Sequence, residues 1–276
     1  MDNNRRSFLK IAGITALAGI GAPVAAHLSS TPALASAAPQ EGHKAAAESG
    51  ERGGVRFGML IDMRKFYGHP DMLDKVIAAC NKVHNIPHIV DKKTGEADRK
   101  NEIKWIWKTP YANAFPDQSA VHSSKTIAGN DFLVLCNHCQ APACVRVCPT
   151  KATFVLPENG IVAMDYHRCI GCRFCMMACP YGARSFNWED PRPYISEYNP
   201  DFPTRMRGVV EKCTFCEERL ALGQQPACVE AVQDSGAIVF GDLNNPESQI
   251  CQVLARENTI QRSPAYGTQP SVFYIV

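Results

Sequence analysis

"CIGCRFCMMACP", residues 169–180, sets cysteines at positions 169, 172, 175 and 179 and closes on a proline. Such a run either holds a metal cluster alone or lends its last cysteine to a neighbouring one, and the choice decides how many redox centres the chain carries. A second dense run lies just upstream: Cys136-x2-Cys139-x4-Cys144-x3-Cys148-Pro149. A third, Cys213-x2-Cys216-x11-Cys228, stops short, because the position four residues on, where a fourth thiol would fall, is Val232. Cys80 and Cys251 complete the 13 cysteines of a 276-residue chain.

The run at 169–180 matches C-x2-C-x2-C-x3-C-P, in which three close thiolates wrap one cubic iron–sulfur cluster and the fourth, leaving the loop at proline, ligates a neighbouring cube. The run at 136–149 has two extra residues between its second and third cysteines, a lengthening that a loop absorbs. Zinc is the main rival for a C-x2-C pair. Two zinc sites would use paired C-x2-C units, whereas triplets followed by Cys-Pro recur here. A c-type haem needs histidine directly after C-x-x-C, and Gln140, Met176 and Glu217 stand there instead. A disulfide framework suits small exported chains; this one is long enough to be stabilised by burial. His138 reads as a loop residue near a cluster, and Arg168, Arg173 and Lys212 as solvated side chains with at most a secondary part in offsetting cluster charge.

The rest of the chain frames these runs. The formal charge of +2 comes from Arg5, Arg6 and Lys10 against Asp2, so the body is neutral and has no electrostatic case for binding nucleic acid. "NNRRSFLK" leads into sixteen uncharged residues (11–26), too few to span a bilayer, then small residues at Ala33 and Ala35. Residues 1–35 therefore read as an export signal of twin-arginine type, cut after Ala35 or Ala37, and 36–54 as a flexible linker. Order is expected over 55–276: a strand at 55–63, a helix opened by Pro70 with Met72, Leu73, Val76, Ile77 and Cys80 on one face, and a strand or hairpin around Ile103, Trp105 and Trp107. "PENG" makes a turn between "TFVL" and "IVAMD". Small cysteine-wrapped modules repeat, giving an α+β fold of tandem bacterial-ferredoxin-like modules with loop-rich insertions. No P-loop, dinucleotide fingerprint, H-E-x-x-H motif or nucleophile triad is present, so no catalytic residue is assigned.

Over residues 55–276 the chain resembles the four-cluster ferredoxin-type electron-transfer subunits of membrane-linked oxidoreductases, such as those of polysulfide and dimethyl sulfoxide reductases. "GMLIDMRK", the two Cys-Pro runs, "CTFCEERLALGQQPACVEA" and the terminal "GTQPSVFYIV" carry the resemblance. In that family four cysteine groups pair first with fourth and second with third, each lending its last cysteine. The first group would begin right after "IDMRK", where this chain has Phe66, and only Cys80 survives from it. The lost thiols, with Val232, are those that would share one cluster. The resemblance thus implies three [4Fe-4S] clusters: Cys136, Cys139, Cys144 with Cys179 (the first set); Cys169, Cys172, Cys175 with Cys148 (the second); and Cys213, Cys216, Cys228 with Cys80 (the third). The first two form the pair centred on 132–190. Cys251 is left as a buried free thiol.

A row of clusters without a substrate site is a wire, in which the protein sets spacing, potential and docking. The lost cluster and the twin-arginine signal on the subunit itself resemble the DsrO-type subunits of DsrMKJOP complexes. That implies a periplasmic protein held at the membrane by a partner, a polytopic NrfD-like membrane subunit and a multihaem cytochrome c among its neighbours, and a setting in sulfite or sulfur metabolism. The alternatives are the β-subunit of a periplasmic molybdopterin reductase for polysulfide, thiosulfate or tetrathionate, and a structural zinc or disulfide protein.

Overall fold

Phe57–Asp62 (FGMLID) forms β1, and every residue in it after Phe57 is buried. A strand apolar on both faces belongs in the middle of a covered sheet. The computed structural model, which describes residues 54–91, 93–118 and 124–276, supplies its partners from the far end of the chain. β8 (Ile238–Asp242) pairs antiparallel with Met59 opposite Phe240, and β9 (Val272–Ile275) pairs parallel with Ile61 opposite Tyr274. The export signal and all but the last residue of the linker lie outside the described residues.

Helix α1 (Pro70–Val83) starts as the sequence predicts, with proline in its first turn, Asp71 at the positive end of the dipole and Lys82 at the negative end. Its buried residues are Leu73, Val76 and Cys80, one stripe at helical spacing. The same periodicity that buries two aliphatic side chains therefore delivers the Cys80 thiol to the interior.

The tryptophan segment differs in detail from expectation. The strand β2 begins only at Ile106 and runs to Pro110, pairing antiparallel with β3 (Asp131–Leu135), with Trp107 opposite Val134. Ile103 and Trp105 precede it, fully buried, while the Lys104 amide bonds the Ser185 hydroxyl. A side-chain partner there takes the donor that a strand ladder would use. Among the described residues between β2 and β3 are two α-helical turns, α2 (Tyr111–Ala114) and α3 (Lys125–Ala128), and a 3-10 turn at Pro116–Gln118.

From residue 136 onward the cysteine runs alternate with one-turn helices and short hairpins. α4 (Ala143–Arg146) precedes β4 (Thr153–Val155) and β5 (Val162–Met164), which pair antiparallel around the expected turn. α5 (Phe174–Met177) precedes β6 (Ser185–Phe186), whose partner β7 (Val210–Glu211) lies beyond the Pro-rich connection. α6 (Glu217–Leu220) and α7 (Ala227–Glu230) carry the third run, and α8 (Gln249–Leu254) packs on β8. Among the described residues no helix is long and apolar enough to cross a membrane.

A buried ion pair ties these pieces together. Arg205 Nε donates to Glu211 Oε2 at 2.8 Å, and the Trp105 indole donates to the same oxygen at 2.8 Å. Arg205 also bonds the His84 and Asn85 carbonyls, so the end of α1, the tryptophan segment and β7 share one network.

Candidate metal-cluster site

The loops that hold the thiols share a backbone device. Within C136-N-H-C139, His138 has φ 39°; within C172-R-F-C175, Arg173 has φ 63°; and in the third run Phe215 and Cys216 follow each other at 58° and 54°. Left-handed backbone at non-glycine residues costs on the order of 1–3 kcal/mol each and persists only where surroundings over-determine it. Gly171 has φ 69°, and a Cβ there would lie 2.4 Å from the Gly208 carbonyl oxygen. These turns curl each short loop so that successive thiols face one interior.

All 13 cysteines are free thiols, and twelve of them have neighbours of their own kind, in three sets. Cys148, Cys169, Cys172 and Cys175 wall one cavity, closed by Thr150, Thr153, Met164 and Val210. Burial pushes the Cys139 thiol up to about 12, reinforced by its neighbours Cys136, Cys144 and Cys179. Burial likewise raises Cys80 well above the usual thiol range, with Cys213, Cys216 and Cys228 adding repulsion. Cys228 is pushed up to about 12 by burial and then by Cys213. Only Cys148 moves the other way: burial raises it, but amides of Thr153, Thr150 and Ala152 and the Thr150 hydroxyl outweigh that and hold it below the usual value.

Five of these twelve thiols are buried and seven half-buried. Thiolates arranged in this way suit a soft metal cluster, and the amide donors around Cys148, and around Cys179 from Ala183 and Tyr181, are the hydrogen bonds that sulfur ligands receive. The residues present therefore fit iron–sulfur clusters; when bound, such clusters supply one-electron chemistry.

The groups also adjoin one another. Cys213 of the third set is raised by burial and next by Cys136 of the first. Cys175 of the second set feels Cys144 of the first, and α4 packs on α5. The Cys136 set is thus the middle of three. The His138 ring stacks on Phe215 with centroids 3.7 Å apart, sealing the contact between first and third sets.

Cys251 stands away from all three. It is half-buried against Leu60, Val239 and Ile250, its sulfur 3.5 Å from the Asp242 and Leu243 carbonyls. Phe66 and Val232 are buried in the main core. Nearby, the Lys65 ammonium bonds the Ser235 and Gly236 carbonyls.

Several residues around the site escape sequence reasoning. Lys212, expected to be solvated, is fully buried, whereas Arg168 and Arg173 are exposed, Arg173 lying over the Trp188 ring at 4.6 Å. The only sequence signal for Lys212 is that it directly precedes Cys213. Arg184 is buried beside the second set. His84 sits one turn beyond Cys80, its Nδ1 3.5 Å from the Cys80 sulfur and its Nε2 3.0 Å from Glu218. His84, Cys216 and Glu218 place one ligand atom each within 4.8 Å of one another, an arrangement that belongs to the wall of the third set.

The family model of the 4Fe-4S dicluster domain matches residues 131–192, which hold the first two cysteine runs. An Hdr-like menaquinol oxidoreductase iron–sulfur subunit 1 from Archaeoglobus fulgidus is 42% identical over 206 residues, covering 72% of this chain and 71% of that one. The iron–sulfur cluster-binding subunit of menaquinone reductase from Nitratidesulfovibrio vulgaris is 34% identical over 246 residues, covering 80% and 89%. The B subunit of polysulfide reductase from Wolinella succinogenes is 38% identical over 151 residues, covering 54% and 69%. With its thiols gathered in this way and identity running over most of two such subunits, this protein belongs to the family of ferredoxin-type iron–sulfur electron-transfer subunits that includes them.

Proposed function

We propose that the protein is a periplasmic electron-transfer subunit of tandem ferredoxin-like modules holding three [4Fe-4S] clusters, each ligated by one of the three four-thiol sets. It relays electrons between a quinone-reactive NrfD-like membrane subunit and a multihaem cytochrome c, in a DsrO-type complex of sulfite or sulfur metabolism. The observation that carries this reading is the grouping of Cys80 with Cys213, Cys216 and Cys228, more than a hundred residues away in sequence. The apolar packing of Phe66 and Val232 supports the absence of a fourth cluster. The relay runs through the middle set to either end. At the second set the loop turns Ile170, Phe174 and Met177 outward, Met177 being 88% exposed, which suits a docking face close to a terminal cluster. The third set lies inside the core.

Iron and acid-labile sulfide assays on the exported protein test the cluster count. Three cubes give about twelve of each per chain, since each holds four iron and four sulfide. A value near eight, or thiols blocked as disulfides without iron, overturns it. The resemblance to the polysulfide reductase subunit favours a second reading, the β-subunit of a molybdopterin reductase. Purifying the intact complex separates the two: a multihaem cytochrome supports the first, a molybdopterin-binding partner the second.

A further inference from the structure

Two buried cations lie where the cysteine sets meet, and neither forms an ion pair with a carboxylate among the described residues. Arg184 Nη1 donates to the Thr153 hydroxyl at 3.1 Å and contacts the Met164 sulfur at 3.5 Å, both of which wall the cavity of the second set. Its Nη2 is buried without a partner. Burial weighs against the charge of this guanidinium, and the nearby Cys144, Cys175 and Cys136, thiols of the first and second sets, hold it charged all the same. Lys212 occupies the other contact. Its ammonium bonds the Cys213 carbonyl at 2.8 Å and the Val162 carbonyl, and the Val162 amide in turn donates to His138, between Cys136 and Cys139.

No carboxylate pairs with Arg184, and the Glu217 carboxylate acts on Lys212 without pairing with it; charge at this depth is strongly destabilising, so each cation draws on further negative charge nearby. A cluster held by four thiolates carries net negative charge and gains one more unit on reduction. A fixed cation beside it therefore favours the reduced form, more strongly in a low-dielectric interior than in water. Electron transfer between neighbouring sets makes and breaks no bond, so the direction and ease of each step follow from such fixed charges.

We propose that Arg184 and Lys212 are the counter-charges of the two contacts between clusters. Arg184 raises the reduction potentials of the first and second sets, Lys212 those of the first and third, and the middle set, flanked by both, responds to each. The inference rests on the three-cluster reading, and the two fail separately: iron content tests that reading, potentials test this one.

The test is an EPR-monitored redox titration of the iron-loaded full chain, with signals assigned to sets through the ligand variants Cys80→Ser and Cys172→Ser. Arg184→Gln is expected to lower the first and second sets by at least a tenfold fall in the reduced-to-oxidised ratio, which is about 59 mV for one electron, and to leave the third unmoved. Arg184→Lys keeps the charge and holds both potentials near the parent value. Lys212→Met lowers the first and third sets and spares the second. Unchanged potentials in iron-replete Arg184→Gln, equal shifts in all three sets, or an Arg184→Lys variant that behaves like the glutamine one overturn the proposal. Should Arg184→Gln fail to retain iron, Lys212→Met decides it: an unmoved third set or a shifted second set counts against the assignment.

Discussion

At the scale of single residues, the chemistry of this protein depends on where a few side chains are forced to point. Cys80 is the sharpest case, since nothing beside it in sequence marks it as a ligand, yet its helix stripe turns it toward Cys213, Cys216 and Cys228. Cys80→Ser is expected to lose the signal of the third set alone, with iron falling by about four per chain, one cube, while Cys251→Ser leaves every cluster spectrum unchanged; EPR and iron assay read both. Gly171 is constrained differently. Its φ of 69° and the Gly208 oxygen 2.4 Å from any added Cβ leave no room for a side chain. Gly171→Ala should therefore displace the loop between Cys169 and Cys172 and lower iron retention at the second set, with the other two preserved. The spacing C-x-G-C announces a turn in the sequence, whereas the left-handed His138, Phe215 and Cys216 do not, because non-glycine residues adopt that backbone only when their neighbours compel it.

Elements in this fold are short, and most have no independent stability: one-turn helices and two-residue strands cannot nucleate alone. What fixes them is side-chain bonding between segments. Glu211 on β7 accepts from Arg205, the Trp105 indole and Asn187, while Arg205 reaches the carbonyls that end α1. Glu211→Ala leaves the Arg205 charge buried and unpaired, and should cost about 3–5 kcal/mol, read as a lowered denaturant midpoint in the iron-loaded protein. Helix α1 and the turn between β4 and β5 were legible from periodicity and turn residues because both are local. The late start of β2 was not, because the Lys104 amide is diverted to Ser185, a residue on a distant strand.

Over the whole molecule, the thiols couple stability to pH and to metal. In the iron-free protein, burial raises Cys80, Cys139, Cys213, Cys216 and Cys228 above the ordinary thiol range. Unfolded thiols titrate at about 8.5. Below that value both states hold their protons and the folded chain keeps its full stability. Above it the unfolded chain releases protons that the folded chain retains, so stability falls as pH rises, by up to about 1.4 kcal/mol per pH unit for each coupled thiol. The iron-loaded protein should show the opposite dependence, losing stability in acid as protons compete for thiolates. Urea midpoints of the two forms, measured from neutral to alkaline pH for the first and from neutral to acid pH for the second, check both signs.

The cysteine spacing by itself determined the kind of site, since a thiol triplet ending in Cys-Pro constrains loop geometry over about a dozen residues and leaves few metals able to use it. Composition determined that the body carries no net charge, and periodicity placed Cys80 on the inward face of its helix. Which set adjoins which was decided only by the tertiary structure, as were the burial of Lys212 and Arg184 and the pairing of β1 with strands from the far end of the chain. Those are long-range contacts, chosen by how the buried surfaces and charges of separate segments satisfy one another, and no local pattern encodes that choice.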